Sequence, residues 1–248
     1  MALVLLLIAH FLGDFTFQPK KLVELKSQNF RFQILHSLIY ALLFLGAIVL
    51  FLDFFQALSI AIIIFCLHLL IDWLRIKSDK ENNTVKHYFV SFVLDQVAHF
   101  AILILVTFGT HVLNRPLEPT EFFSRLFGIH GNDIQISSII LSYIVVLSPA
   151  SVFIKNFLSL FFNKEDENLV ESSEGNVGSL IGKLERVLIL TLGLMSLYSS
   201  IALVLTAKSI ARFRQLEDRD FAEKYLVGTL LSMIIAIACI GMVAILTN

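Results

Sequence analysis

The chain is poor in charge, in cysteine and in the residues that punctuate loops. Of its 248 residues only 16% are charged, four are proline and two are cysteine. A soluble domain ordinarily carries about 25% charge. The shortfall excludes a disordered chain and a typical cytosolic enzyme. Cys66 and Cys239 both lie within apolar stretches. They form neither the framework of a disulfide-stapled secreted module nor a Cys-x-x-Cys metal motif. An excess of one charge sign is missing too. Lys and Arg number 19 against 20 Asp and Glu, for a net charge of −1, so no nucleic-acid partner is expected. What is present is apolar residue, 57% of the chain, with a mean hydropathy of +0.82. It is arranged in blocks near the roughly 20 residues that a membrane-crossing helix needs. The pattern predicts an all-α fold, a polytopic transmembrane bundle of about six to seven membrane helices.

The blocks run over residues 2–17, 34–52, 54–76, 88–112, 134–162, 180–207 and 225–246. The first has no basic residue before it, while Lys20, Lys21, Lys26 and Arg31 follow. A cleaved signal peptide has the opposite charge order, so the block is read as a short first helix. Asp53 marks a turn. Pro149 is expected to kink or end the first part of the fifth block, leaving residues 152–162 free to lie along the interface. Three parts follow: a four-helix membrane core over 1–112, an extracytoplasmic loop over 113–133, and C-terminal membrane helices over 134–248 with a basic cytoplasmic loop over 208–224. The 113–133 loop carries Pro116, Pro119, Gly128 and Gly131, and its stretch 120–127 suits a short interfacial helix. An acidic linker surrounds Glu165, Asp166, Glu167, Glu171 and Glu174.

Positive charge sets sidedness. The loops after the first and third blocks are basic, and the loop after the second has no Lys or Arg. That places the basic loops in the cytoplasm. Lys208, Arg212, Arg214, Arg219 and Lys224 ask for the same side, yet seven alternating helices would put them opposite. Two arrangements resolve the conflict: a re-entrant element in residues 180–207, broken near 193–200, which is the favoured one, or a fifth block that does not fully cross.

Ionisable residues within such blocks cost at least about 2.5–3.5 kcal/mol each on insertion scales and must face protein or water. The first four blocks hold His10 and Asp14, then His36, then His68 and Asp72, then Asp95 and His99. Three blocks carry a His/Asp pair at i,i+4, which puts both side chains on one helix face. Alternating helix directions bring all seven to one level, near the cytoplasmic face. Four imidazoles and three carboxylates are a fitting ligand set for one or two divalent transition ions, Zn or Mn/Fe. Asp14, Asp72 and Asp95 are the candidate catalytic carboxylates. An ion there could generate hydroxide against a lipid-like phosphoester. Two other readings use the same residues: a small transporter or ion-coupled carrier, and a non-catalytic scaffold or sensor whose His/Asp pairs lock the bundle.

Outside that set, His87, His111 and His130 are read as solvated loop residues, and Trp73 and Arg75 as interface anchors. Lys208 and Arg212 are read as positive-inside residues, with Glu185 and Arg186 able to pair with them if residues 180–207 re-enter. Gly228, Ser232 and Ala236 form a small-residue stripe for close packing, within the subunit or across a homodimer. Membrane lipids are the expected surroundings.

The motifs over His10 to Gln18, at His36, over His68 to Asp72 and over Asp95 to His99 give the chain a family likeness. It resembles the bacterial integral membrane proteins grouped as domain of unknown function 3307. The stretches at Gly182 to Arg186, Ala207 to Phe213 and Val227 to Ser232 are similar to the second half of the longer members. The resemblance implies an inner-membrane location and no established activity. The His-x-x-x-Asp pairs are also similar to those of membrane-bound metal-dependent hydrolases and of the zinc phospholipase C and nuclease group. The chain departs from that second pattern: no N-terminal Trp or His is placed as a zinc ligand, and no glutamate joins the set.

Overall fold

A computed structural model describes residues 1–112, 133–162 and 173–247. Its elements are α1 (Ala2–Phe11), a π-helical turn (Leu12–Thr16), α2 (Lys20–Gln28), α3 (Phe30–Ile48), α4 (Phe54–Glu81), α5 (Val85–Val112), α6 (Asp133–Leu147), α7 (Pro149–Phe162), α8 (Ser173–Leu194), α9 (Tyr198–Ala211), a 3₁₀ turn (Phe213–Glu217) and α10 (Arg219–Thr247). No strand occurs among the described residues. Residues 113–132 of the expected loop, with its interfacial helix and His130, and the linker residues Glu165 to Glu171, lie outside them.

The protein is a polytopic helical bundle. Among the described residues, five helices are long and apolar enough to cross a membrane: Phe30–Ile48, Phe54–Glu81, Val85–Gly109, Ile134–Phe162 and Arg219–Thr247. The pair Ala2–Thr16 and Lys20–Gln28, bent by 79°, adds a sixth if it counts as one span. Pro19 sits at that bend with an extended ψ of 154°. It fixes φ and offers no N–H to continue the preceding turn. Residues 180–207 divide between α8 and α9, and the interruption at residues 195–197 falls inside the 193–200 stretch where a break was expected. Lys183, Glu185 and Arg186 interrupt the apolar run of α8, and α9 has only 14 residues.

Two compact units divide the chain, Met1–Leu141 and Ser142–Asn248. In the first, α3 packs against α1, α2 and α4, α4 packs against α5, and α1 touches α5. Leu6, Phe44, Ile48, Ile64 and Leu103 form its apolar core. Side chains start the helices where sequence supplies them: Asn29 accepts from the Arg31 N–H at 3.0 Å and Asp53 from the Gln56 N–H at 3.2 Å. Such caps satisfy donors that the first turn leaves free, and the second explains Asp53 as a turn residue.

In the second unit, α10 packs on α7 and α8, burying Ser232, Ala236, Cys239 and Val243. Arg186 is buried beside the helix break at Pro149. Its Nε donates to the Val146 carbonyl at 2.7 Å, and its terminal nitrogens donate to Ser151 Oγ at 2.5 Å and Ser232 Oγ at 3.4 Å. The guanidinium thus caps a main-chain carbonyl at an interrupted helix. Lys208 Nζ donates to Glu185 Oε2 at 2.6 Å and to Thr229 Oγ1 at 2.9 Å, tying α9 to α8 and α10. α8 ends with Leu197 N–H on the Leu192 carbonyl and Ser196 N–H on the Gly193 carbonyl. This is a Schellman closure, with Ser196 at a φ of 60° where glycine is usual.

Candidate metal centre

The seven residues singled out by spacing come together in the first unit. His10 is in the last turn of α1, Asp14 lies on the π-helical turn, His36 is in α3, His68 and Asp72 are in α4, and Asp95 and His99 are in α5. The π turn widens the helix by one residue, a device frequent at functional sites. It also brings Gly13 against Tyr40: a Cβ at residue 13 would lie 2.7 Å from the Tyr40 ring. All four imidazoles are at most 2% exposed, so their ring nitrogens must find partners inside the protein or on an ion.

The imidazoles form a chain. His36 Nε2 lies 3.2 Å from His68 Nε2, and His68 Nδ1 lies 2.5 Å from His99 Nε2. His99 Nδ1 donates to the Asp95 main-chain carbonyl at 2.7 Å, which leaves Nε2 of a neutral His99 as an acceptor. His68 Nδ1–H then donates to it, and the lone pair of His68 Nε2 points towards His36. Tyr40 stacks on His68 with ring centroids 3.8 Å apart and planes 3° from parallel. His10 stands to one side with both nitrogens engaged, Nδ1 with the Tyr40 hydroxyl at 3.0 Å and Nε2 with Gln96 Oε1 at 3.2 Å.

The carboxylates are not equivalent. Asp72 Oδ2 accepts from Lys26 Nζ at 2.8 Å. Asp95 Oδ2 accepts from Arg75 at 3.1 Å and from Gln96 Nε2 at 3.0 Å. Asp14 has no such cation, and its buried Oδ1 has no hydrogen-bond partner among the described residues. Ring nitrogens surround it instead: His36 Nε2 at 3.5 Å and His68 Nε2 at 3.7 Å from Oδ1, and His10 Nδ1 at 3.7 Å from Oδ2. The Gln18 amide, oriented by its surroundings, donates to the Asp14 main-chain carbonyl at 2.9 Å and accepts from Lys26 Nζ, with the same oxygen 3.2 Å from His36 Nε2.

Two sets of three side chains offer ligand atoms within 4.8 Å of one another: Asp14, His36 and His68, and Asp14, Asp95 and His99. Asp14 belongs to both. Within the first set the separations are 3.2, 3.5 and 3.7 Å. Ligands about 2.0–2.1 Å from a tetrahedral ion stand roughly 3.3 Å apart, so the set has nearly the dimensions of three corners of such a site. Asp72 Oδ2 lies just beyond, 3.6 Å from His36 Nε2 and 3.9 Å from His68 Nε2.

Residues 2–123 match the model of the family described as protein of unknown function (DUF3307). The N-terminal half of the chain belongs to DUF3307. No curated protein and no solved structure matches the chain. The DUF3307 segment takes in all seven His and Asp residues of the cluster and stops short of the Arg186 and Lys208 network.

Three site residues stayed out of sight in the sequence. Tyr40 is one helical turn after His36, a spacing that signals a shared face. Arg75 is three residues after Asp72 but turns inward to Asp95, while Trp73 stays exposed under the Lys77 ammonium. Lys26 carries no spacing signal, because a fold-back of α2 brings it to Asp72. His87 is engaged rather than solvated: its Nε2 lies 3.1 Å from Ser78 Oγ.

Proposed function

We propose that DUF3307 residues 1–112 hold a divalent transition metal ion in the bundle, in a protein of the bacterial inner membrane. The observation that carries this reading is the orphaned Asp14 Oδ1 beside two imidazole nitrogens at ligand-to-ligand separations. A buried carboxylate without a partner is costly, and a cation among Asp14, His36 and His68 removes that cost. Asp95 and His99 offer a second set around the same Asp14. His10 orients Tyr40, and Tyr40 fixes the His68 ring, as the supporting shell of a metal site does.

Such an ion supplies Lewis acidity and a water whose pKa falls to about 7. The reaction that suits these surroundings is hydrolysis of a lipid-like phosphoester, with Asp14, Asp72 or Asp95 accepting the proton from water. Elemental analysis of protein purified without chelator tests the reading. Metal is expected in stoichiometric amount and is lost in His36→Ala and His68→Ala; full metal content in both variants contradicts it.

The continuous His36, His68 and His99 chain favours a second reading, an ion-coupled carrier that moves protons between imidazoles. Proteoliposome flux that depends on Asp14 and Asp72, in protein free of metal, would select it.

A further inference from the structure

Two of the three carboxylates in the cluster already hold a tethered cation. Lys26 is 7% exposed and its ammonium lies 2.8 Å from Asp72 Oδ2. That same oxygen is 3.6 Å from His36 Nε2 and 3.9 Å from His68 Nε2. Arg75 occupies Asp95 Oδ2 in the same way at 3.1 Å. Lys26 is also the one residue that α2 buries, although the helix carries Lys20 and Lys21 as well, both exposed. The fold thus spends a short helix on delivering one ammonium to the rim of the cluster.

We infer that Lys26 stands in for a second metal ion, so that the cluster takes a single divalent ion and Asp72 serves the lysine rather than the metal. This rests on the metal reading above. Both candidate ligand sets require Asp14, and with neutral imidazoles the three carboxylates and two tethered cations leave one negative charge. One divalent ion brings the buried cluster to +1. A second would bring it to +3, far from the balance that a low-dielectric interior demands. Removing the Lys26 charge lowers the repulsion on the first ion and vacates Asp72 for another. A lysine that merely braced the fold would act in the opposite direction, since its loss would loosen the ligands.

The test is equilibrium binding of Mn²⁺ alone to the full chain in detergent, with stoichiometry read by elemental analysis. Wild type is expected to bind one equivalent. Lys26→Met, which keeps the apolar stem, is expected to bind the first ion at least tenfold tighter and to accept a second, while Lys26→Arg keeps the wild-type stoichiometry. Weaker or unchanged binding by a folded Lys26→Met overturns the inference. Two equivalents in wild type overturn it without recourse to any variant. No binding in wild type fails at the earlier step, the metal reading itself, and takes this inference with it.

Discussion

Replacing Asp14 by asparagine removes the one carboxylate in the cluster that lacks a tethered cation, and its consequence depends on whether metal is present. Without metal, the wild-type protein buries an uncompensated charge, for which the insertion cost is about 2.5–3.5 kcal/mol. Asparagine remains polar, so relief amounts to only part of that, about 1–2 kcal/mol. For a chain of this size 1 kcal/mol corresponds to about 2–4 °C in Tm. Metal-free Asp14→Asn should therefore unfold roughly 2–8 °C above metal-free wild type. Metal reverses the order. An ion at 100 times its Kd stabilises the folded state by about 2.7 kcal/mol, or roughly 5–11 °C, and only wild type keeps the ligand needed for it. Thermal unfolding of both proteins in detergent, with chelator and with Zn²⁺ or Mn²⁺, reads all four values. A wild-type Tm indifferent to metal, or an Asp14→Asn protein less stable than wild type in chelator, refutes the reasoning.

Four further outcomes follow from the packing. Gly13→Ala drives a methyl into the Tyr40 ring; overpacking of this kind costs about 1–3 kcal/mol, and metal affinity measured by titration should fall as His68 loses its stacked partner. Tyr40→Phe keeps the stack but leaves His10 Nδ1 without the hydroxyl, at about 1–3 kcal/mol for an unsatisfied buried group, visible in thermal unfolding. Arg186→Met leaves the Val146 carbonyl uncapped, for a similar loss of about 1–3 kcal/mol and no change in metal content. Ser196→Gly relieves the positive φ at the end of α8 and should raise stability by about 1 kcal/mol.

The convergence of the cluster was legible because helical spacing and alternating helix direction are both written in the sequence. A His and an Asp four residues apart share a face, and the ends of odd helices meet the beginnings of even ones. Counting spans was harder. Residues 180–207 are apolar enough to read as one block, and only the conflict of basic loops pointed to a break near 193–200; the residue on which it turns, Ser196 at a left-handed φ, adopts a conformation that serine does not advertise. The partners of the carboxylates were least legible. Lys26 reaches Asp72 across 46 residues of sequence, through a bend at Pro19 whose direction no local pattern specifies. Arg75 sits where an interface anchor belongs, yet Asp95 draws it inward. Arg186 was visible as a charge in an apolar block, but its role depends on a carbonyl beside the Pro149 break 40 residues away.

X-ray absorption at the metal edge of the purified, metal-loaded protein tests the central claim most directly. The account predicts a first shell of nitrogen and oxygen at about 2.0–2.2 Å, with imidazole scattering beyond it that diminishes in His36→Ala and His68→Ala. A shell containing sulfur, an octahedral all-oxygen shell typical of surface-bound ions, or spectra unchanged by both substitutions would contradict it.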